Sequence, residues 1–211
     1  MRKILNYLFD PLCGWCYGVG AVLPEIIAST GLELKLIPTG LFSAHGARKM
    51  DAAFAQYAWT NDQRIAHLTG QVFSEQYRSQ VLADHQALFD SGPATLALTA
   101  ICMTQPAREY EAMAAIQHAR YVDAHDITDW TFLARRLAEM DLVKASALLS
   151  ERALPLLAAN TARVTLGQEL MKRFQARGVP TFILDDASGS RVLPAQAFFS
   201  SPQGLIRELT A

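Results

Sequence analysis

The chain has 211 residues, 51% of them hydrophobic and 18% charged, with a net charge of -1. That length and apolar content support a sizeable core, in one large domain or in a domain carrying an insertion. The near-zero charge excludes a basic nucleic-acid footprint and a polybasic membrane patch, and no apolar stretch approaches the length of a bilayer span.

The run Ile4-Leu5-Asn6-Tyr7-Leu8-Phe9 reads as a first strand. It is too short for the apolar region of a signal peptide, and no small-residue cleavage site follows it. The expected location is therefore the cytoplasm, where thiols are kept mostly reduced. Asp10-Pro11-Leu12-Cys13-Gly14-Trp15-Cys16 comes next, and residues 19–30 can continue as a helix stopped by Gly31. A Cys-x-x-Cys pair after a strand and at a helix start is the context in which this spacing does redox chemistry. At the first turn, Cys13 meets free amides and the positive end of the helix dipole, which favour the nucleophilic thiolate. Cys16, one turn further on the same face, is placed to resolve a mixed disulfide.

Two plainer uses of the pair are open on spacing alone. A structural staple closing so short a loop is worth roughly 2 kcal/mol. A zinc site wants four ligands. The third cysteine, Cys102, lies far away in a helical context, and His45, His67, His85, His118 and His125 show no tight ligand spacing. Redox use is favoured over both, with no metal, nucleotide or flavin expected.

Residues 32–37 alternate and predict a second strand, parallel to the first through a right-handed crossover. From 43 to 159 the periodicity is helical and predicts no strand. One helix is expected to be capped by Asn61 or Asp62, with Ile65, Leu68, Val72 and Phe73 inward. A nearly all-apolar helix covers 94–103, and others cover 108–122, 129–140 and 145–152. Thr128 is the expected cap of the helix over 129–140, with Trp130, Leu133 and Leu137 inward. A helix starting at Asn160 or Thr161, with Leu166, Leu170 and Phe174 on one face, leads to Gly178. Val179-Pro180-Thr181-Phe182-Ile183-Leu184 is a third strand opening at a proline, 191–193 its antiparallel partner, and 203–209 a closing helix.

This order of elements, with Phe9 to Cys16 at one end and Gly178-Val179-Pro180-Thr181-Phe182 at the other, resembles the α/β thioredoxin-like fold, β-α-β … α-β-β-α. The inserted helices make it similar to the DsbA-like family of thiol–disulfide oxidoreductases, and the cysteine motif looks nearest to its cytoplasmic FrnE-like members. The implied thioredoxin-like domain spans 1–42 and 160–211, with an inserted helical domain over 43–159. The resemblance further implies that Pro180 is cis and faces the cysteines, and that Val179 offers its backbone to an extended substrate. It implies disulfide- or thiol-containing protein substrates and admits glutathione.

The sequence departs from the periplasmic members in three places. No export signal is expected from its first residues, it carries Gly14-Trp15 in place of Pro-His, and it has Tyr7 where the family often keeps a buried acid. Cys13 is accordingly expected to be more acidic than a free thiol but less so than in DsbA, and Asp10 is the nearest carboxylate. A related branch holds kappa-class glutathione transferases and 2-hydroxychromene-2-carboxylate isomerases, which typically place a serine where Cys13 sits. Cys16 would have no task in such an enzyme, so this is the alternative reading. Trp15 is expected to be an exposed substrate contact, Cys102 a buried inert thiol, and Ser43, His45 and Gly46 a loop bordering the site. A groove between the inserted helices and the thioredoxin core is expected to select the substrate.

Overall fold

The computed structural model describes residues 3–210. One sheet holds four strands in the order β2-β1-β5-β6: β1 Ile4–Phe9, β2 Glu33–Pro38, β5 Thr181–Asp186 and β6 Gly189–Leu193. β1 runs parallel to β2 and antiparallel to β5, and β5 and β6 form a hairpin. The register pairs Leu8 with Thr181. The cysteine loop that leaves β1 and the Val179-Pro180 segment that enters β5 therefore meet at one end of the sheet.

Alternation sorts the strand side chains onto two faces. Leu5, Tyr7, Phe9, Phe182 and Leu184 belong to the main core, where Phe182 stacks between Tyr7 and Phe198. Leu8, Ile37 and Ile183 face the other way and pack under Leu170, Met171 and Phe174. β2 is an edge strand, and such edges invite unwanted pairing. Here the long helix α8, Leu154–Arg173, crosses it: Arg163 donates to the Leu36 carbonyl at 3.0 Å and Gln168 to the Thr39 carbonyl at 3.3 Å.

The single helix expected over 19–30 is two, α1 Gly14–Val19 and α2 Leu23–Thr30. Pro24 explains the break, since its ring would strike the Gly20 carbonyl in a continuous helix. The turn between them is tightened by i to i−3 bonds from Gly20, Ala21 and Val22. Gly31 ends α2 in the left-handed region, as expected.

Between β2 and α8 lie β3 Arg48–Lys49, α3 Ala52–Thr69, β4 Leu88–Phe89, α4 Gly92–Thr104, α5 Glu109–Tyr121, α6 Trp130–Glu139 and α7 Val143–Glu151. β3 and β4 pair as a small ribbon in the segment where no strand was expected, because two-residue strands leave no periodic trace. α3 starts at Asp51, whose carboxylate accepts from the Phe54 amide, and stops at Gly70. Asn61 and Asp62 therefore lie inside it and cap nothing, and Val72 and Phe73 fall beyond its end. Its inner face is Trp59, Asp62 and Ile65, while Leu68 is exposed. α4 is buried from Pro93 to Ile101, as its composition predicts. Asp129, not Thr128, caps α6 through the Thr131 amide, and Trp130 is only half-buried. α8 begins at Leu154, earlier than expected, because Pro155 fits a helix's first turn. Asn160 lies within it and accepts from Thr99 Oγ1. The chain closes with α9 Ala195–Ser200, which periodicity did not predict, and α10 Pro202–Thr210. No helix among the described residues is long and apolar enough to cross a membrane.

Candidate active site

The loop Asp10 to Cys13 is held from three directions. The Asp10 carboxylate, fully buried, accepts from the Leu12 amide at 2.9 Å, the Phe42 amide at 3.0 Å and Ser91 Oγ at 2.7 Å. From α5, Tyr121 Oη donates to the Leu12 carbonyl at 2.8 Å and Gln117 to the Pro11 carbonyl at 3.5 Å. Asp10 thus does more than cap its own loop: it joins that loop to the segment after β2 and to the start of α4. Burial raises its pKa, and the three bonds pull it down.

Cys13 precedes α1 with an extended backbone, and its thiol donates to the Val179 carbonyl at 3.5 Å. The Val179–Pro180 peptide is cis. Cys16 lies one turn behind and is fully buried, whereas Cys13 keeps 7% exposure, so only the first sulfur is open to an incoming reactant. Both are free thiols. Burial and the adjacent Cys13 hold the Cys16 thiol well above the usual range, and the Tyr7 hydroxyl draws it down. Tyr7 itself is fully buried and donates to the Cys16 carbonyl at 3.1 Å. Burial, then Cys16, keeps its phenol protonated far into the alkaline range, so this position supplies a hydrogen bond and not a titrating acid.

Trp15 is half-buried, not freely exposed: its ring stands edge-on to Phe199 at 5.3 Å, and the Arg64 guanidinium lies 5.7 Å from its centre. Ser43 donates to the Gly40 carbonyl and His45 is exposed, and among the described residues no hydrogen bond joins either to the cysteines. Cys102 is half-buried, not fully buried, and lines a cavity of about 930 Å3 along β2, α2 and α8. Its other walls include Leu36, Leu170, Phe174 and the ion pair between half-buried Arg163 and buried Glu109. The cavity lies where a groove was expected, with Cys102, Glu109 and Tyr110 of the inserted helices on one side and β2 and α2 of the core on the other, and neither Cys13 nor Cys16 lines it. Among the described residues no group of three or more His, Cys, Asp or Glu side chains could hold a metal.

One residue at the site escaped sequence reasoning. Asp62, buried on α3, accepts from Tyr77 Oη at 3.1 Å, while its Oδ1 stands where a side chain on Gly14 would be. A Cβ at Gly14 would meet Oδ1 at 2.5 Å. Burial pushes Asp62 up to about 7, against the pull of the Tyr77 hydroxyl and the Arg120 cation. The folded chain therefore holds this proton more tightly than the unfolded chain does. Its contribution to stability is complete below about pH 4 and is lost as pH rises through about 7. Asp62→Asn is expected to shrink the loss of stability between pH 4.5 and pH 8 by on the order of 2 kcal/mol, read by urea denaturation. An unchanged pH dependence would show that this carboxylate is solvated.

A four-stranded sheet of this order, two cysteines at the first helix, a cis proline against them and helices inserted between the two halves define a thioredoxin-like fold with a helical insertion. No protein-family model and no curated protein sequence matches the chain. Solved structures do. The chain is 32% identical to the cytosolic disulfide reductase DsbM from Pseudomonas aeruginosa, over 98% of this chain and 96% of that one, with a TM-score of 0.82. It matches the structure of that protein with GSH equally well. It therefore belongs to the DsbA-like thiol–disulfide oxidoreductase family. A proposed protein disulfide isomerase from Nitrosomonas europaea shares the fold at 18% identity, covering 99% and 96% of the two chains, with a TM-score of 0.79. A 2-hydroxychromene-2-carboxylate isomerase shares it at 14% identity, covering 97% and 95%, with a TM-score of 0.59.

Proposed function

We infer that this chain is a cytoplasmic thiol–disulfide oxidoreductase whose reacting atoms are the sulfurs of Cys13 and Cys16. The observation that carries this reading is the contact of Cys13 Sγ with the Val179 carbonyl at 3.5 Å, with Cys16 buried one turn behind. The more accessible sulfur thus faces a segment that can align an extended thiol substrate, and the shielded sulfur is kept for resolution.

Cys13 thiolate attacks a substrate disulfide, forming one S–S bond and breaking another. The substrate's departing sulfur takes a proton. Cys16 then gives up its proton and attacks Cys13 Sγ, and the substrate's second sulfur leaves as a thiol. Two electrons and two protons have passed to the substrate, and the enzyme is left as the Cys13–Cys16 disulfide. Two glutathione thiols restore the dithiol and leave as glutathione disulfide. Support for glutathione in this role comes from the related reductase whose structure contains it. Val179 and Pro180 shape the docking edge, and Trp15 forms one lip. Protein disulfides are the other substrate class. The thioredoxin-like unit is 1–42 with 160–211, and 43–159 is the insertion, with α8 bridging the second junction.

The test is to trap the intermediate. Cys16→Ser incubated with glutathione disulfide should accumulate a mixed disulfide on Cys13, seen by mass spectrometry as one added glutathione, and should lose catalytic reduction of insulin. Full turnover without Cys16 would favour the glutathione-dependent isomerase or transferase class. Inert thiols in glutathione buffers would leave a binding module that has kept the fold.

A further inference from the structure

Between Cys13 and Cys16 the chain carries a glycine on which any side chain would run into a carboxylate from another helix. Asp62 is 4% exposed and occupies the inner face of α3 between Trp59 and Ile65. A side chain at Gly14 is excluded because Asp62 Oδ1 holds that space, with Ile65 Cδ1 at 3.3 Å beside it. A charged, low-dielectric neighbour one residue from the reactive sulfur acts on whichever form of that sulfur bears charge.

We propose that Asp62 sets the redox bias of the Cys13–Cys16 pair, its carboxylate opposing the Cys13 thiolate across Gly14 and so favouring the disulfide over the dithiol. This rests on the reading of the pair as the redox site. The groups facing Asp62 define its charge. Tyr77 donates to it from the π-helical turn Tyr77–Leu82. From α5, the buried Arg120 lies over the rings of Tyr77 and Tyr121, with its Nε unpartnered, and attracts the carboxylate from a distance. At the start of α1 the carboxylate abuts Gly14, the residue that follows Cys13, and Arg64 on α3 turns outward over Trp15. None of these closes an ion pair with Asp62 among the described residues, and Arg120 offsets the carboxylate's charge only from a distance. Because burial moves this group to about 7, the opposing charge develops across the neutral range.

The reaction that reads the bias is exchange with glutathione. The Cys13–Cys16 disulfide takes two electrons and two protons from two glutathione thiols, which leave joined as one glutathione disulfide. A destabilised thiolate shifts this balance toward the enzyme disulfide, which makes the dithiol the better reductant. Asp62 is a positioning residue here, since it acts through Cys13 and touches no substrate.

The experiment is a glutathione redox titration at pH 7.5, with the pH profile of Cys13 alkylation by iodoacetamide, on the full chain. In Asp62→Asn the equilibrium constant for reducing the enzyme disulfide should rise about fivefold or more, and the alkylation midpoint should move to lower pH. Tyr77→Phe should shift both in the same direction by less, because the carboxylate loses the donor that favours its charged form. It also keeps the test open if the first variant folds poorly. A constant and a midpoint unchanged in both variants, or shifted the other way, overturn the proposal. A wild-type chain that forms no Cys13–Cys16 disulfide in these buffers would instead overturn the reading of the pair.

Discussion

Cys13→Ser is expected to lower disulfide exchange by a factor on the order of 10^3 or more, measured as insulin reduction coupled to glutathione. A serine hydroxyl is almost wholly protonated at neutral pH and does not attack sulfur, whereas even an ordinary thiol is a few per cent thiolate there. No other sulfur can take over. Cys16 has no exposed surface, and Cys102 lies on α4 in the wall of a cavity whose lining includes neither of the other cysteines. The loss should arise without unfolding, because the loop is fixed by Asp10, Tyr121 and Gln117, and the Cys13 thiol adds only a long contact to the Val179 carbonyl and its contact with Cys16. Circular dichroism and the urea midpoint should therefore match the wild type. Retained exchange in this variant would remove Cys13 from the mechanism altogether.

Gly167→Ala is expected to destabilise the fold by about 2 kcal/mol, although helix propensity alone argues for a gain of about 1 kcal/mol. The contact decides the sign. A Cβ at Gly167 would lie 2.3 Å from the Pro38 carbonyl oxygen, 3.0 Å from its carbon and 3.2 Å from Thr39 Cα. All three are backbone atoms, so no side-chain rotation relieves the overlap. α8 must lift from the end of β2, loosening the bonds of Arg163 to Leu36 and Gln168 to Thr39, each worth about 1 kcal/mol. A urea midpoint equal to or above that of the wild type would show that the helix can ride over this edge at no cost.

Local chemistry carried much of the fold. The apolar run before Cys13, the alternation after Gly31 and the proline at position 180 were enough to place β1, β2 and β5 and the two ends of the site. What failed to show was set by distant partners. Asn61-Asp62 ahead of apolar residues has the composition of a helix start, yet Asp62 is kept inside α3 by Tyr77 and by the space above Gly14. A poor helix former in a helix interior, opposite a glycine between two cysteines, was the available signal. Pro24 did announce the break between α1 and α2, and the apolar character around it masked that. The hydrogen bond from Tyr7 to Cys16 depends on a turn of α1 over β1 that no pattern within either element encodes.

The Cys13–Val179 contact spans 166 positions of chain. At roughly 5–20 residues per second of synthesis, the thiols emerge on the order of 10 to 30 s before the segment that will face them. The strand β5, which must slot beside β1 to complete the sheet, is also among the last elements made. A nascent chain therefore exposes Cys13 and Cys16 as unshielded thiols until the segment around Val179 has been translated and β5 has joined β1.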